Sequence, residues 1–183
     1  SHYQGTPYDP YAATASEKGI YRPIGVNRND FMALLQMRPD VPEDFRAVEW
    51  LAFASNAFNT MVPFYANVER TPEYLANTTG TVSTDNFYWT SRLIAAMADA
   101  SYNKSLFHLE RYEEAVLSAA RALVNQYDAK LAAEPDAARR AALREEANTA
   151  IAAMLQEKAA DTLDKVLFEL SSQMKNAYSR SDA

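Results

Sequence analysis

The sequence contains no cysteine. Disulfides, thiolate metal sites and a cysteine nucleophile are thereby excluded within this chain. Histidine is scarce as well, with only His2 and His108. The 4 glycines are scattered, so no glycine loop can cradle a phosphate. No apolar run approaches the roughly 18 residues that a membrane span needs. Positive charge is the minority sign: 18 basic against 24 acidic side chains give a net charge of −6. A pI near 5.0 speaks against a nucleic-acid binder, which carries a clustered basic face. The chain opens Ser1-His2-Tyr3-Gln4 without Met, a basic stretch or an apolar stretch. The expectation is a piece of a longer protein; with no targeting segment in view, the default compartment is the cytoplasm.

What remains is the balance of an ordinary globular domain, 48% hydrophobic and 23% charged over 183 residues. Turn-forming residues divide the chain near residue 80. Residues 1–80 hold all 4 glycines and 7 of the 8 prolines, whereas 81–183 hold only Pro135. The first part therefore reads as short elements and turns, the second as long helices, within one structural domain.

Residues 1–19 read as a loop, broken by Gly5, Pro7 and Pro10. Ile20–Asn27 is a strand candidate, turned at Asn29-Asp30 into Phe31–Arg38. In that second strand Phe31, Ala33, Leu35 and Met37 share one face and Met32, Leu34, Gln36 and Arg38 the other. An apolar face opposite a mixed one fits a sheet packed on both sides near its edge. Glu49–Ser55 and Met61–Val68 are further strand candidates. Pro63 confines the latter to an edge or irregular position, because it cannot donate to a ladder. Leu75–Val82 reads as loop. Trp50, Phe53, Phe58, Phe64 and Tyr65 are large apolar residues for so few strands, which suggests a sheet continued elsewhere.

Ser83-Thr84-Asp85 can cap a helix over Asn86–Ala100. A second helix is predicted from about Leu106 to Ala132, on the stripe Leu109, Tyr112, Val116, Ala120, Leu123, Val124, Tyr127 and Leu131. Glu134-Pro135-Asp136 interrupts it. A third helix is predicted over Ala137–Tyr178, with Leu143, Ala147, Ile151, Leu155, Ala159, Thr162, Val166, Leu170 and Met174 on its stripe. Two long helices and a short break predict an antiparallel hairpin. Strands first and helices after indicate an α+β fold.

The residue types that carry chemistry are few. His108, among Leu106, Phe107 and Leu109, has no carboxylate at ligand spacing and reads as structural. Glu113-Glu114 and Glu145-Glu146 are neighbours about 100° apart on a helix, so neither pair converges as a catalytic dyad. Arg22 and Arg28 lie on or beside the first strand. A surface ion pair accounts for either, and so does a guanidinium gripping a carboxylate by two hydrogen bonds. Asn56 and Asn59 follow a strand, where asparagine serves as a turn former or as an oxyanion donor.

Taken together, five ordered segments resemble the bacterial dipeptidase A family. His2-Tyr3-Gln4-Gly5-Thr6-Pro7-Tyr8-Asp9 is similar to its H(Y/F)xGTPYD signature, and Tyr21-Arg22-Pro23-Ile24 with Arg28 to its RPIS…R strand. Gln36-Met37-Arg38-Pro39-Asp40-Val41-Pro42 is similar to its (Q/V)xRPDLP turn. Val62-Pro63-Phe64-Tyr65 matches its VPFY element, and Asp85-Asn86-Phe87-Tyr88-Trp89 with Arg92 its DxxYWxxR helix start. The matches span residues 2–92.

The resemblance implies an N-terminal-nucleophile hydrolase with an α-β-β-α sandwich. In such an enzyme a cysteine at the start of the mature chain attacks the scissile carbonyl, and its free α-amino group is the base. The implied reaction is dipeptide hydrolysis, with no metal or organic cofactor. This chain departs from the family by lacking any cysteine. The expectation is therefore the C-terminal part of a cysteine dipeptidase, inactive alone, with residues 1–80 as part of the sandwich and 81–183 as its helical portion. Arg22, Arg28 and Asn56 are the candidate active-site lining, and His2, Gly5, Thr6 and Tyr8 a candidate substrate loop. The expected partners are a dipeptide substrate and the missing N-terminal portion or a second copy; nucleic acid and membrane are not expected. Two alternatives stay open from the sequence: a non-catalytic helical interaction module, and an N-terminal-nucleophile amidase acting on non-peptide amides.

Overall fold

A computed structural model describes residues 29–174. Three strands open it: β1 (Phe31–Met37), β2 (Ala47–Phe53) and β3 (Val62–Tyr65). They form an antiparallel sheet in the order β1-β2-β3. Phe31 stands opposite Phe53, Leu34 opposite Trp50, and Leu51 opposite Val62. The helices follow: α1 (Glu73–Ala76), α2 (Phe87–Ala100), α3 (Tyr102–Ala133) and α4 (Ala137–Ser171). The fold is α+β, as the sequence predicts.

Register and apolar pattern together place the core. Partners across the strands share a face, so Phe53, Leu51, Val62 and Phe64 point the same way. Against them pack Phe87 and Ile94 of α2, Tyr112 and Val116 of α3, and Ile151 and Leu155 of α4. A second cluster joins Phe45 and Tyr65 to Tyr127, Leu131, Leu143 and Ala147, at the far end of the helix pair. A fully buried side chain of this size contributes about 1.5–3 kcal/mol. These two clusters hold the sheet to the helices.

The helical boundaries have local causes. The side chain of Asn86 accepts from Trp89 N at 2.9 Å and caps α2. The cap is therefore not within Ser83-Thr84-Asp85; there the Ser83 hydroxyl donates to Asp85 and accepts from Asp85 N. A single residue, Ser101, separates α2 from α3, so the latter starts four residues before the expected Leu106. Asp136 caps α4 through Arg139 N at 2.7 Å. α3 and α4 run antiparallel: Tyr127 meets Glu146 near the break, and His108 meets Glu169 at the far ends.

Other expectations change as well. Leu75 and Ala76 are helical, because Glu73–Ala76 closes one turn after Pro72. Met174 lies beyond the end of α4 and is 71% exposed, so it is not part of the stripe. Among the described residues β1 is not packed on both sides: Phe31, Leu34, Leu35 and Met37 are all more than half exposed, and they come from both of its faces. The helices cover β2 and β3 and stop short of β1. The candidate strand Ile20–Asn27 and its hairpin lie outside the described residues. The third predicted helix, α4, ends at Ser171, seven residues before the expected Tyr178. Pro63 sits in β3, an outer strand of the described sheet, as its missing N–H requires.

Candidate functional site

One corner of the sheet brings charged and polar side chains from separate elements together. It lies where β1 begins and β2 ends. Ala54 N donates to Asp30 O at 2.8 Å, which extends the β1–β2 pairing by one residue. Beyond that bond the strand stops. Ala54 has φ 62°, the left-handed region, and is fully buried. A non-glycine residue there carries about 1–2 kcal/mol of strain, so neighbouring bonds must hold it. The chain then enters a 3-10 turn, Asn56–Phe58.

Asn59 closes this turn. Its side-chain amide donates to Phe53 O, and its carbonyl oxygen accepts from Thr60 N at 2.8 Å. Both ends of the amide are thus bonded to backbone, the role of a turn former. Phe58 packs edge-on against Tyr102, with ring centres 6.2 Å apart, and ties the turn to the start of α3.

The other wall of the corner comes from α2. Arg92 donates to the Asp30 carboxylate at 2.9 Å, and the Tyr88 hydroxyl reaches the same oxygen at 3.5 Å. Tyr88 and Arg92 are four residues apart and so share a face of the helix. The Arg92–Asp30 pair is about half exposed, which makes it worth about 0–1 kcal/mol. Its importance is placement: it fixes the carboxylate beside the end of β2.

Of the sequence-predicted site residues, His2, Gly5, Thr6, Tyr8, Arg22 and Arg28 lie outside the described residues. Asn56 opens the turn just described. Asn56 and Arg28 are each two residues along the chain from the bonded pair Ala54–Asp30. Asp30, Tyr88 and Arg92 are the residues whose convergence sequence reasoning missed. The DxxYWxxR motif held the signal for two of them, but nothing in the sequence linked it to Asp30. The left-handed Ala54 has no sequence signal, since that conformation is marked by glycine or asparagine.

The remaining candidates lie on α3 and α4. His108 Nε2 lies 3.4 Å from Glu169 Oε1, beside a groove of about 250 Å³ between α3 and α4. Among the described residues no group of three or more His, Asp or Glu side chains is placed to hold a metal ion. Glu145 and Glu146 diverge: the first accepts from Glu69 N and Arg70 N, the second from the Tyr127 hydroxyl. Burial and that bond to Glu146 raise the Tyr127 pKa above its ordinary value. Among the described residues no helix is long and apolar enough to cross a membrane.

The chain's relatives cover this corner and more. The family model of peptidase family C69 matches residues 1–115. A "Probable dipeptidase A" of Streptococcus pyogenes serotype M3 (strain SSI-1) is 42% identical over all of this chain and 38% of its own length. A "Dipeptidase" of Bifidobacterium longum (strain NCC 2705) is 37% identical over all of this chain and 42% of its own length. A "Dipeptidase A" of Lactobacillus helveticus is 46% identical over 56% of this chain and 22% of its own length. The chain thus spans about two-fifths of the length of the relatives that match it throughout. The matched segment carries the corner from Asp30 to Arg92, and the chain belongs to peptidase family C69.

Proposed function

We propose that this chain is the C-terminal part of a cysteine dipeptidase and that it hydrolyses dipeptides only when joined to the part that carries the nucleophile. The observation that carries this reading is the alignment: every residue of the chain aligns with a dipeptidase more than twice its length. The absence of cysteine from these residues fits it. So does β1, whose exposed apolar side chains on both faces need a cover that the described residues do not supply.

In this reading a cysteine upstream becomes N-terminal when a leader is removed. Its thiolate adds to the scissile carbonyl, and the α-amino group takes the thiol proton and returns it to the leaving amine. Water then attacks the thioester, which releases the second product and restores the thiol. No metal or organic cofactor enters. Residues 1–80 contribute to a sandwich of two sheets and 81–183 its outer helical portion, as one structural domain. Arg22 and Arg28 grip the substrate carboxylate or the charge that develops in the transition state. Asn56 donates to the oxyanion or positions the substrate. His2, Gly5, Thr6 and Tyr8 border the substrate site. The cytoplasm is the compartment.

Three samples test it in one dipeptidase assay: residues 1–183, the full-length gene product, and that product with its leading cysteine changed to alanine. The reading expects turnover from the unmodified full-length protein alone. Turnover by residues 1–183 alone refutes it. Full-length protein that cleaves acylated amino acids but no dipeptide supports an amidase instead.

A further inference from the structure

We infer that Asn59 is a positioning residue for the peptidase reaction, acting with the left-handed Ala54 to hold the Ser55–Phe58 turn in one presentation. This rests on the dipeptidase reading above. It adds to that reading a device outside the reacting atoms.

Three observations converge. The first is the backbone. β2 could continue or fray after Phe53, but Ala54 turns it with φ 62° while fully buried. An alanine persists in that conformation only where its surroundings over-determine it, and such residues collect at functional sites. The second is the amide clamp. Asn59 reaches back six residues to Phe53 O and takes Thr60 N on its other atom, so a single side chain closes both ends of the turn. The third is location. Ala54, which leads into the turn, donates to Asp30 O, and the Asp30 carboxylate accepts from Arg92 and Tyr88. Two elements of the family-matched segment, the start of β1 and the first turns of α2, thereby meet at Asp30, at the end of the loop that Ala54 begins.

The clamp has a chemical consequence. A short turn without it exchanges among conformations that differ by about an ångström, and a misplacement of that size costs catalysis about a hundredfold. Asn59 touches no reacting atom in this account. Its loss therefore lowers kcat and leaves substrate binding nearly intact.

The test uses the full-length gene product and measures kcat and KM separately. Asn59→Ala is expected to lower kcat at least about tenfold with KM within about twofold. Asn59→Asp keeps the acceptor for Thr60 N and loses the donor to Phe53 O, so it is expected to behave as Asn59→Ala does. Ala54→Gly keeps the clamp and frees the backbone; it is expected to lower kcat by about threefold or more in a protein that melts where wild type does. Asn59→Ala that folds and keeps kcat within twofold of wild type overturns the inference. So does a loss carried by KM alone. Should Asn59→Ala fail to fold, Ala54→Gly decides: a kcat within twofold of wild type overturns the inference. A wild-type protein without dipeptidase activity refutes the functional reading instead, a result distinct from either.

Discussion

The side chain of Asn148 stands in for a strand. Its Oδ1 accepts from Tyr65 N at 2.8 Å and its Nδ2 donates to Tyr65 O at 3.0 Å. This is the exchange that a paired strand would make with the last residue of β3. Asn148 and Tyr65 are both nearly inaccessible to solvent, so α4 closes part of a sheet edge that water cannot reach. Asn148→Ala leaves a buried N–H and a buried C=O without partners, at about 1–3 kcal/mol each. Urea unfolding is expected to show a loss of about 3 kcal/mol. A loss below about 1 kcal/mol shows that the pairing is dispensable.

Arg38 and Asp128 make a second tie, between the end of β1 and the last turns of α3. The guanidinium meets the carboxylate with two bonds, 2.5 and 3.1 Å. It also donates to Phe45 O at 2.6 Å and Arg46 O at 3.3 Å. The Tyr65 hydroxyl donates to the same carboxylate at 2.8 Å. Removing one partner of a mostly buried pair strands the other, at about 3–5 kcal/mol in full burial and less at this partial exposure. Arg38→Lys retains charge but loses the planar fork, so it is not a conservative change. A double-mutant cycle over Arg38→Ala and Asp128→Ala is expected to give a coupling above about 1 kcal/mol. Additive effects refute the tie.

These ties show where sequence reading ends. The helices were legible because Val116, Ala120, Ile151 and Leu155 recur at helical spacing and all are fully buried. β1 was legible from its turn signals, yet its covering was not, since alternation names two faces and cannot say what lies on them. Asn148 sits among alanines on α4 and carries no mark of its partner 83 residues away. Arg38 was visible only inside a turn motif, with Asp128 still unassigned. At the candidate site, nothing in the sequence marked Phe53 O and Thr60 N as the backbone partners of the Asn59 amide. Long-range polar pairing has no period, so it leaves no pattern in the sequence.

Alkaline pH should weaken the fold through two tyrosines. Burial raises the pKa of Tyr65, as do its bond to Asp128 and that carboxylate's charge. Burial also raises that of Tyr112, with Tyr74 adding to it. In the unfolded chain both ionise near pH 10. Above that pH the unfolded state has released protons that the folded state keeps, so stability falls as pH rises. The stabilisation is complete below about pH 10 and declines above it, by up to about 1.4 kcal/mol per pH unit for each tyrosine. The Tyr112 hydroxyl has no hydrogen-bond partner among the described residues. Tyr112→Phe is therefore expected to cost nothing at pH 7 and to make the decline shallower. Unfolding midpoints between pH 8 and 11 check both. An unchanged slope in the variant shows that Tyr112 ionises normally in the folded state.

The exposed strand makes the sharpest distinction between a part and a whole. Leu35 and Met37 lie on the face of β1 that continues the helix-covered side of β2, and they are 75% and 65% exposed. Leu34, on the opposite face, is 53% exposed. An uncovered apolar edge of this kind promotes association between chains. Residues 1–183 alone are therefore expected to self-associate with rising concentration, and Leu35→Lys with Met37→Lys to return them to monomer. In the full-length protein the same two changes should act in the opposite sense. If the remaining polypeptide covers β1, each lysine desolvates its charge against an apolar surface, and the doubly changed protein loses several kcal/mol of stability, about 2 or more per site. Sedimentation of the short chain and thermal melting of the long one give the two readings. A full-length protein indifferent to both lysines shows that β1 faces solvent in the intact molecule.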